Sequence, residues 1–108
     1  MPTYNKIVRD CIPKIIKNNG KTLTTRILNE QEYIEEVCKK TQEELAEYRE
    51  AETPEHKVEE LADLLELVNA LAKYEGVTLE DIEKVRKQKA EKRGGFQERI
   101  FLVEVNDD

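Results

Sequence analysis

Residues 58–72 read "VEELADLLELVNALA", and the reading of this stretch decides the fold. Its apolar residues recur at helical rather than alternating spacing, over a length that suits a helix better than a strand. An α-helix turns about 100° per residue, so each side chain can be given a direction. With Val58 as origin, Glu59, Glu66 and Lys73 gather at about 60° to 100° and form the wetted face. Glu60 falls at about 200°, between Leu67 and Leu71, and Asp63 at about 140°, between Ala70 and Leu67. Two carboxylates therefore lie inside the apolar arc. Asn69, also on an apolar arc, reads either as a structural hydrogen-bonding residue or as a polar contact to a ligand.

The preceding helix has the same peculiarity. Ile34, Val37, Cys38, Thr41, Leu45 and Tyr48 form its apolar stripe, with Glu44 beside Val37 and Glu47 about a sixth of a turn further out; Glu43 faces away. Each helix thus carries an acidic i, i+3 pair, Glu44 with Glu47 and Glu60 with Asp63, and residues three apart are neighbours on a helix surface. Two such pairs on antiparallel helices would bring four carboxylates together. Mutual repulsion and the cost of burying unpaired charge then call for a cation. An all-oxygen donor set without histidine or thiolate suits a hard divalent ion, Mg²⁺ or Mn²⁺. The plainer reading is that these acids reach solvent or pair with lysine. With 24 acids in 108 residues, spacing alone does not decide between the two.

Around this pair the chain reads as one domain, residues 1–108, mainly α. Pro13 and Gly20 bracket a short first helix. Asn29 and Glu32 form a capping box that opens a helix over 30–50. Thr53 and Pro54 open the next helix, which Gly76 closes, and Thr78 with Asp81 opens a last one that stops at Gly94 and Gly95. "TLTTRIL" (22–28) and "RIFLVEV" (99–105) read as strands that could form a small antiparallel ribbon. The net charge of −6 argues against nucleic-acid binding. Cys11, Cys38 and the single histidine, His56, lack zinc-site spacing. No signal peptide or membrane-spanning run is visible, so the chain reads as cytoplasmic. Charged residues at 39% against 38% hydrophobic ones leave a small core, which favours self-association into a homo-oligomer.

The last helix is basic. On its wheel Arg86, Lys89 and Arg93 share a side with Leu79 and Ile82 and are expected to point inward, with Lys84 and Lys87 outward and Lys92 away from Arg93. Inward cations beside metal carboxylates would suit a polyphosphate, or would simply neutralise the acids. No Walker-type phosphate loop is present.

"EELAE" (43–47) followed after twelve residues by "ELAD" (60–63) resembles the E-E-x-x-E, E-x-x-D signature of the MazG-like all-α nucleoside triphosphate pyrophosphohydrolases. "YNKIVRDCIP" near the start and "KAEKRGGFQERIFLVEV" near the end resemble the short phosphoribosyl-ATP pyrophosphohydrolase-like, or house-cleaning, subfamily. Cys11 departs from that pattern, which has lysine there. The resemblance implies a helical bundle that assembles as a dimer or tetramer. It also implies Mg²⁺-dependent hydrolysis of the α–β phosphoanhydride of a nucleotide to a monophosphate and pyrophosphate. By it, Glu44, Glu47, Glu60 and Asp63 are metal ligands and Glu43 is a supporting acid; Glu43 or Glu47 would orient the attacking water. Lys6, Arg9, Lys89, Lys92 and Arg93 match its basic motifs and, with Arg86, are candidate phosphate contacts. Two alternatives stand beside a generic nucleoside triphosphate pyrophosphohydrolase: one specific for phosphoribosyl-ATP, and a non-catalytic acidic helical module that binds a basic partner.

Overall fold

A computed structural model describes residues 3–106, which fold as four helices: α1 (Ile12–Asn18), α2 (Glu30–Glu50), α3 (Pro54–Tyr74) and α4 (Leu79–Arg93). Their starts follow the capping chemistry. The Asn29 side chain accepts from the Glu32 amide at the head of α2 while Glu32 reaches back to the Asn29 amide, and Thr78 with Asp81 does the same for α4. Thr53 caps α3, with Pro54 in its first turn. At the other end Gly76 sits at φ 79°. The Val77 amide donates to the Ala72 carbonyl and the Gly76 amide to that of Lys73, so the last turn of α3 is closed by a left-handed residue that a Cβ would strain.

Only residues 51–53 separate α2 from α3, which pack as an antiparallel hairpin. Tyr33 near the start of α2 meets Tyr74 at the end of α3, ring centroids 6.2 Å apart. At the turn, Lys57 of α3 donates to the Tyr48 carbonyl at 2.9 Å and lies over the Tyr48 ring. That carbonyl belongs to the last turn of α2 and has no intrahelical partner, so the lysine both caps α2 and clasps it to α3. α4 turns back on α3, and the extended segment before α1 crosses the hairpin through Lys6 and Arg9.

The face that α2 turns to α3 runs through Tyr33, Ile34, Val37, Thr41, Glu44 and Tyr48, all buried or half-buried. Cys38 and Leu45, expected in this stripe, are exposed instead, because the hairpin contact is centred one position round the helix and passes through Glu44. Among the described residues only Val37 and Ala72 are fully buried apolar side chains. The apolar arc of α3 is wider than one neighbour can cover. Leu64, Leu67 and Leu71 are half-buried, whereas Val58, Leu61, Leu65 and Val68 remain 37% to 64% exposed.

The expected ribbon does not form in the single chain. Residues 22–28 and 99–105 are irregular, and no backbone hydrogen bond joins them. A two-stranded ribbon is marginal unless it packs on other structure, and in the single chain neither segment is paired. No described helix is long and apolar enough to cross a membrane. Both cysteines are free and exposed.

Candidate metal centre

The hairpin brings three of the four predicted carboxylates together. One oxygen each from Glu44, Glu47 and Glu60 lies within 4.8 Å of the others. Glu44 and Glu47 are one turn apart on α2, and the antiparallel crossing places Glu60 opposite them. Glu44 is 5% exposed, Glu60 half-buried and Glu47 exposed, so the cluster opens to solvent on one side.

Two oxygens in this cluster, Oε2 of Glu44 and Oε2 of Glu60, are buried and have no hydrogen-bond partner. Buried carboxylate oxygens ordinarily find a donor, so both mark unmet demand for positive charge. A proton can supply part of it. Glu60 is pushed up to about 7, first by side-chain hydrogen bonding with Glu44, which favours the protonated form, then by loss of water and by Glu47. Glu47 is raised too, chiefly by burial and then by the charge of Glu44. A divalent cation would supply the rest, and the donor set of carboxylate oxygens alone fits Mg²⁺ or Mn²⁺.

Asp63, the fourth predicted ligand, stands outside this cluster. It accepts from Arg9 Nη2 at 2.6 Å, one turn along α3 from Glu60. Glu43 likewise accepts from Lys6 Nζ at 3.0 Å, and that contact holds the Glu43 carboxyl below its usual range. The predicted basic residues Lys6 and Arg9 therefore reach the site across long sequence separations and form a cationic rim on the acids. Lys40 was not singled out from the sequence. Its Nζ lies 3.4 Å from Glu44 and 3.8 Å from Glu43, and its i, i+3 and i, i+4 spacing to them was the available signal.

The basic residues of α4 are placed differently from expectation. Arg86, Lys89, Lys92 and Arg93 are all exposed, and among the described residues none pairs with an acid of α2 or α3. Arg86 instead pairs with Glu83 on its own helix. Lys89, Lys92 and Arg93 line a shallow depression of about 550 Å³ with Val85 and Gln88. The physical reason is that α4 has few apolar anchors; Ile82 and Val85 are themselves 39% and 50% exposed, so its inward side is not covered in one chain.

A groove of about 320 Å³ runs along α3 between Asp10, Tyr33, Glu66, Asn69, Lys73 and Tyr74. None of the three clustered glutamates lines it; Asp10 follows the Arg9 that holds Asp63, and Glu66 lies one turn beyond Asp63, so the groove borders the Arg9–Asp63 pair. Asn69 Nδ2 makes only a long contact, 3.4 Å, to Glu66. The sequence pointed to Asn69 but not to the two tyrosines, which are far apart in the chain.

The profile of one family, described as phosphoribosyl-ATP pyrophosphohydrolase, matches residues 12–90, nearly three quarters of the chain. No curated protein and no solved structure matches.

Proposed function

Since the chain belongs to the phosphoribosyl-ATP pyrophosphohydrolase family, within the MazG-like all-α superfamily, we propose that it hydrolyses the α–β phosphoanhydride of a nucleoside triphosphate, releasing a monophosphate and pyrophosphate. The observation that carries this reading is the pair of orphaned buried oxygens on Glu44 and Glu60, which face each other's helices in the cluster they form with Glu47.

Glu44, Glu47 and Glu60 would hold Mg²⁺, with Mn²⁺ as a substitute. Asp63 joins them if Arg9 releases it. When bound, the metal supplies a lowered pKa for water and a clamp on phosphate oxygens. The remaining work falls to the chain's own groups. Glu43, or Glu47 where it is not fully engaged, orients the attacking water and accepts its proton. The water oxygen bonds to phosphorus as the bridging oxygen departs with pyrophosphate. Lys6 and Arg9 exchange their carboxylates for phosphate oxygens, which suits two cations that are 41% and 58% exposed and already adjacent to the acids. Lys89, Lys92 and Arg93, with Arg86, are the further phosphate contacts. The neighbouring groove receives the nucleoside, with Tyr33 and Tyr74 as aromatic walls and Asn69 positioned for a base edge.

The family description favours a second substrate reading, phosphoribosyl-ATP, which presents the same bond. The uncovered stripe Val58, Leu61, Leu65 and Val68 supports a homodimer or homotetramer, and free exposed thiols suit a cytoplasmic setting. The test is pyrophosphate release from purified protein, with Mg²⁺ or EDTA, over canonical triphosphates, damaged triphosphates and phosphoribosyl-ATP. Release only with Mg²⁺ is expected, and the preferred substrate separates the two readings. Release of neither pyrophosphate nor orthophosphate from any of them, with a control enzyme active, would overturn the proposal.

A further inference from the structure

We infer that residues 22–28 of one copy of the chain pair with residues 99–105 of a second copy, as an intermolecular antiparallel ribbon. Both segments have strand-forming sequences, rich in β-branched and aromatic residues, and both lack a partner in the single chain. Leu23 and Leu28 are half-buried, but the other apolar side chains are bare. Ile27 is 95% exposed, and Ile100, Phe101, Leu102, Val103 and Val105 are 73% to 88% exposed. A long exposed apolar strand invites edge pairing with another chain.

The backbone adds a second observation. Arg99 adopts φ 58°, a left-handed conformation uncommon outside glycine, after a turn closed by its amide on the Phe96 carbonyl at 3.2 Å. The residues that follow it, 100–106, are all exposed and belong to no regular element of their own chain.

Area and charge select the occupant. At on the order of 100 Å² per bare side chain, the six bare residues of the two segments offer roughly 600 Å², of the same order as the ~800 Å² per partner of a stable interface. The register that sets Ile27 opposite Val103 and Leu28 opposite Leu102 also sets Glu104 opposite Arg26, which pairs with Glu32 in the single chain, so two apolar pairs form beside a second acid for that arginine. Reciprocal exchange in a two-fold dimer forms two ribbons and pairs both segments of both chains. Pairing of 99–105 with its own copy would leave 22–28 and the bare Ile27 unmatched.

The pairing does not depend on the reaction, so it is tested on the full chain without substrate. Amide hydrogen exchange is followed at high protein concentration and after about hundred-fold dilution. Residues 22–28 and 99–105 should be protected together and lose protection together, at least ten-fold in rate, on dilution. Two variants, Thr24→Pro and Leu102→Pro, each remove one strand's pairing. Alone, each should weaken self-association at least ten-fold in sedimentation. Mixed, they should form a heterodimer with one intact ribbon and recover part of that loss. Free exchange in either segment at every concentration, or protection in the wild type that dilution leaves untouched, would overturn the inference. So would protection of 99–105 alone, which identifies like-with-like pairing, or a mixture that associates no better than the separate variants.

Discussion

Glu44→Gln separates a metal ligand from a structural ion-pair partner, because the two roles predict opposite signs. Glu44 and Glu47 have oxygens within 4.8 Å; at an effective dielectric constant near 20 two unit charges at that distance repel by about 3.5 kcal/mol. Glu47 is exposed, so solvent and salt reduce this to about 1–2 kcal/mol. Against it stands the Lys40 contact at 3.4 Å, worth about 0.2–1 kcal/mol when partly exposed. Neutralising Glu44 therefore stabilises the metal-free protein by about 1 kcal/mol, or about 4 °C in Tm for a domain of this size. Mg²⁺ acts the other way: at about a hundred times Kd it stabilises the wild type by about 2.7 kcal/mol, near 10 °C. With a ligand lost, the variant gains little at the same Mg²⁺ concentration. Thermal melts at one protein concentration, in EDTA and in Mg²⁺, should show the curves exchange order: variant above wild type without metal, below it with metal. A variant that melts lower in EDTA and responds to Mg²⁺ like the wild type would refute the metal reading and return Glu44 to Lys40. No response to Mg²⁺ in either protein would favour the non-catalytic module.

Three more outcomes follow from the same geometry. Glu60 has a folded-state pKa raised from 4.5 to about 7, so its contribution is fully present below about 4.5 and is lost as pH rises through 7; melts in EDTA should fall between pH 5 and pH 8, and Mg²⁺ should restore stability most at the upper end. Lys6→Ala and Arg9→Ala remove exposed ion pairs and should change stability by no more than about 1 kcal/mol in urea titrations, while lowering kcat/KM at least ten-fold through phosphate binding. Val37→Ala, at 1% exposure in the hairpin contact, should cost about 2 kcal/mol by the same titration and leave KM unchanged in whatever protein remains folded.

The helices were legible because their ends are written in local chemistry: Asn29 with Glu32, Thr53 with Pro54, and Thr78 with Asp81 act within one turn. Glu44 and Glu60 were legible for a related reason, since a helical wheel is a local map and both acids sit on its apolar side. What the wheel cannot supply is a partner from elsewhere. Asp63 lies on the same arc as Glu60, yet it is held by Arg9, 54 residues away, and so stands apart from the other three acids. The same blindness explains Arg86, whose inward bearing on α4 has meaning only if an acid lies inward; among the described residues no acid of α2 or α3 meets it, and the side chain turns to Glu83. The strand propensity of 22–28 and 99–105 was likewise real as local preference, but in one chain the two segments are not paired.

The cationic rim has a consequence for how the chain acquires its site. The hairpin is closed by neighbours: residues 51–53 make the turn, and Lys57 reaches Tyr48 only nine residues back. Lys6 and Arg9 must instead find Glu43 and Asp63 across 37 and 54 residues. Local contacts form faster than distant ones, so the three glutamates converge before the amino-terminal segment docks. During synthesis the disparity widens, because Arg9 leaves the ribosome first yet waits roughly 3–10 s, at about 5–20 residues per second, for Asp63 to be made. In that interval the nascent hairpin presents Asp63 without its arginine and leaves Glu43 to Lys40 alone, so the acidic face is complete before the rim that partly neutralises it.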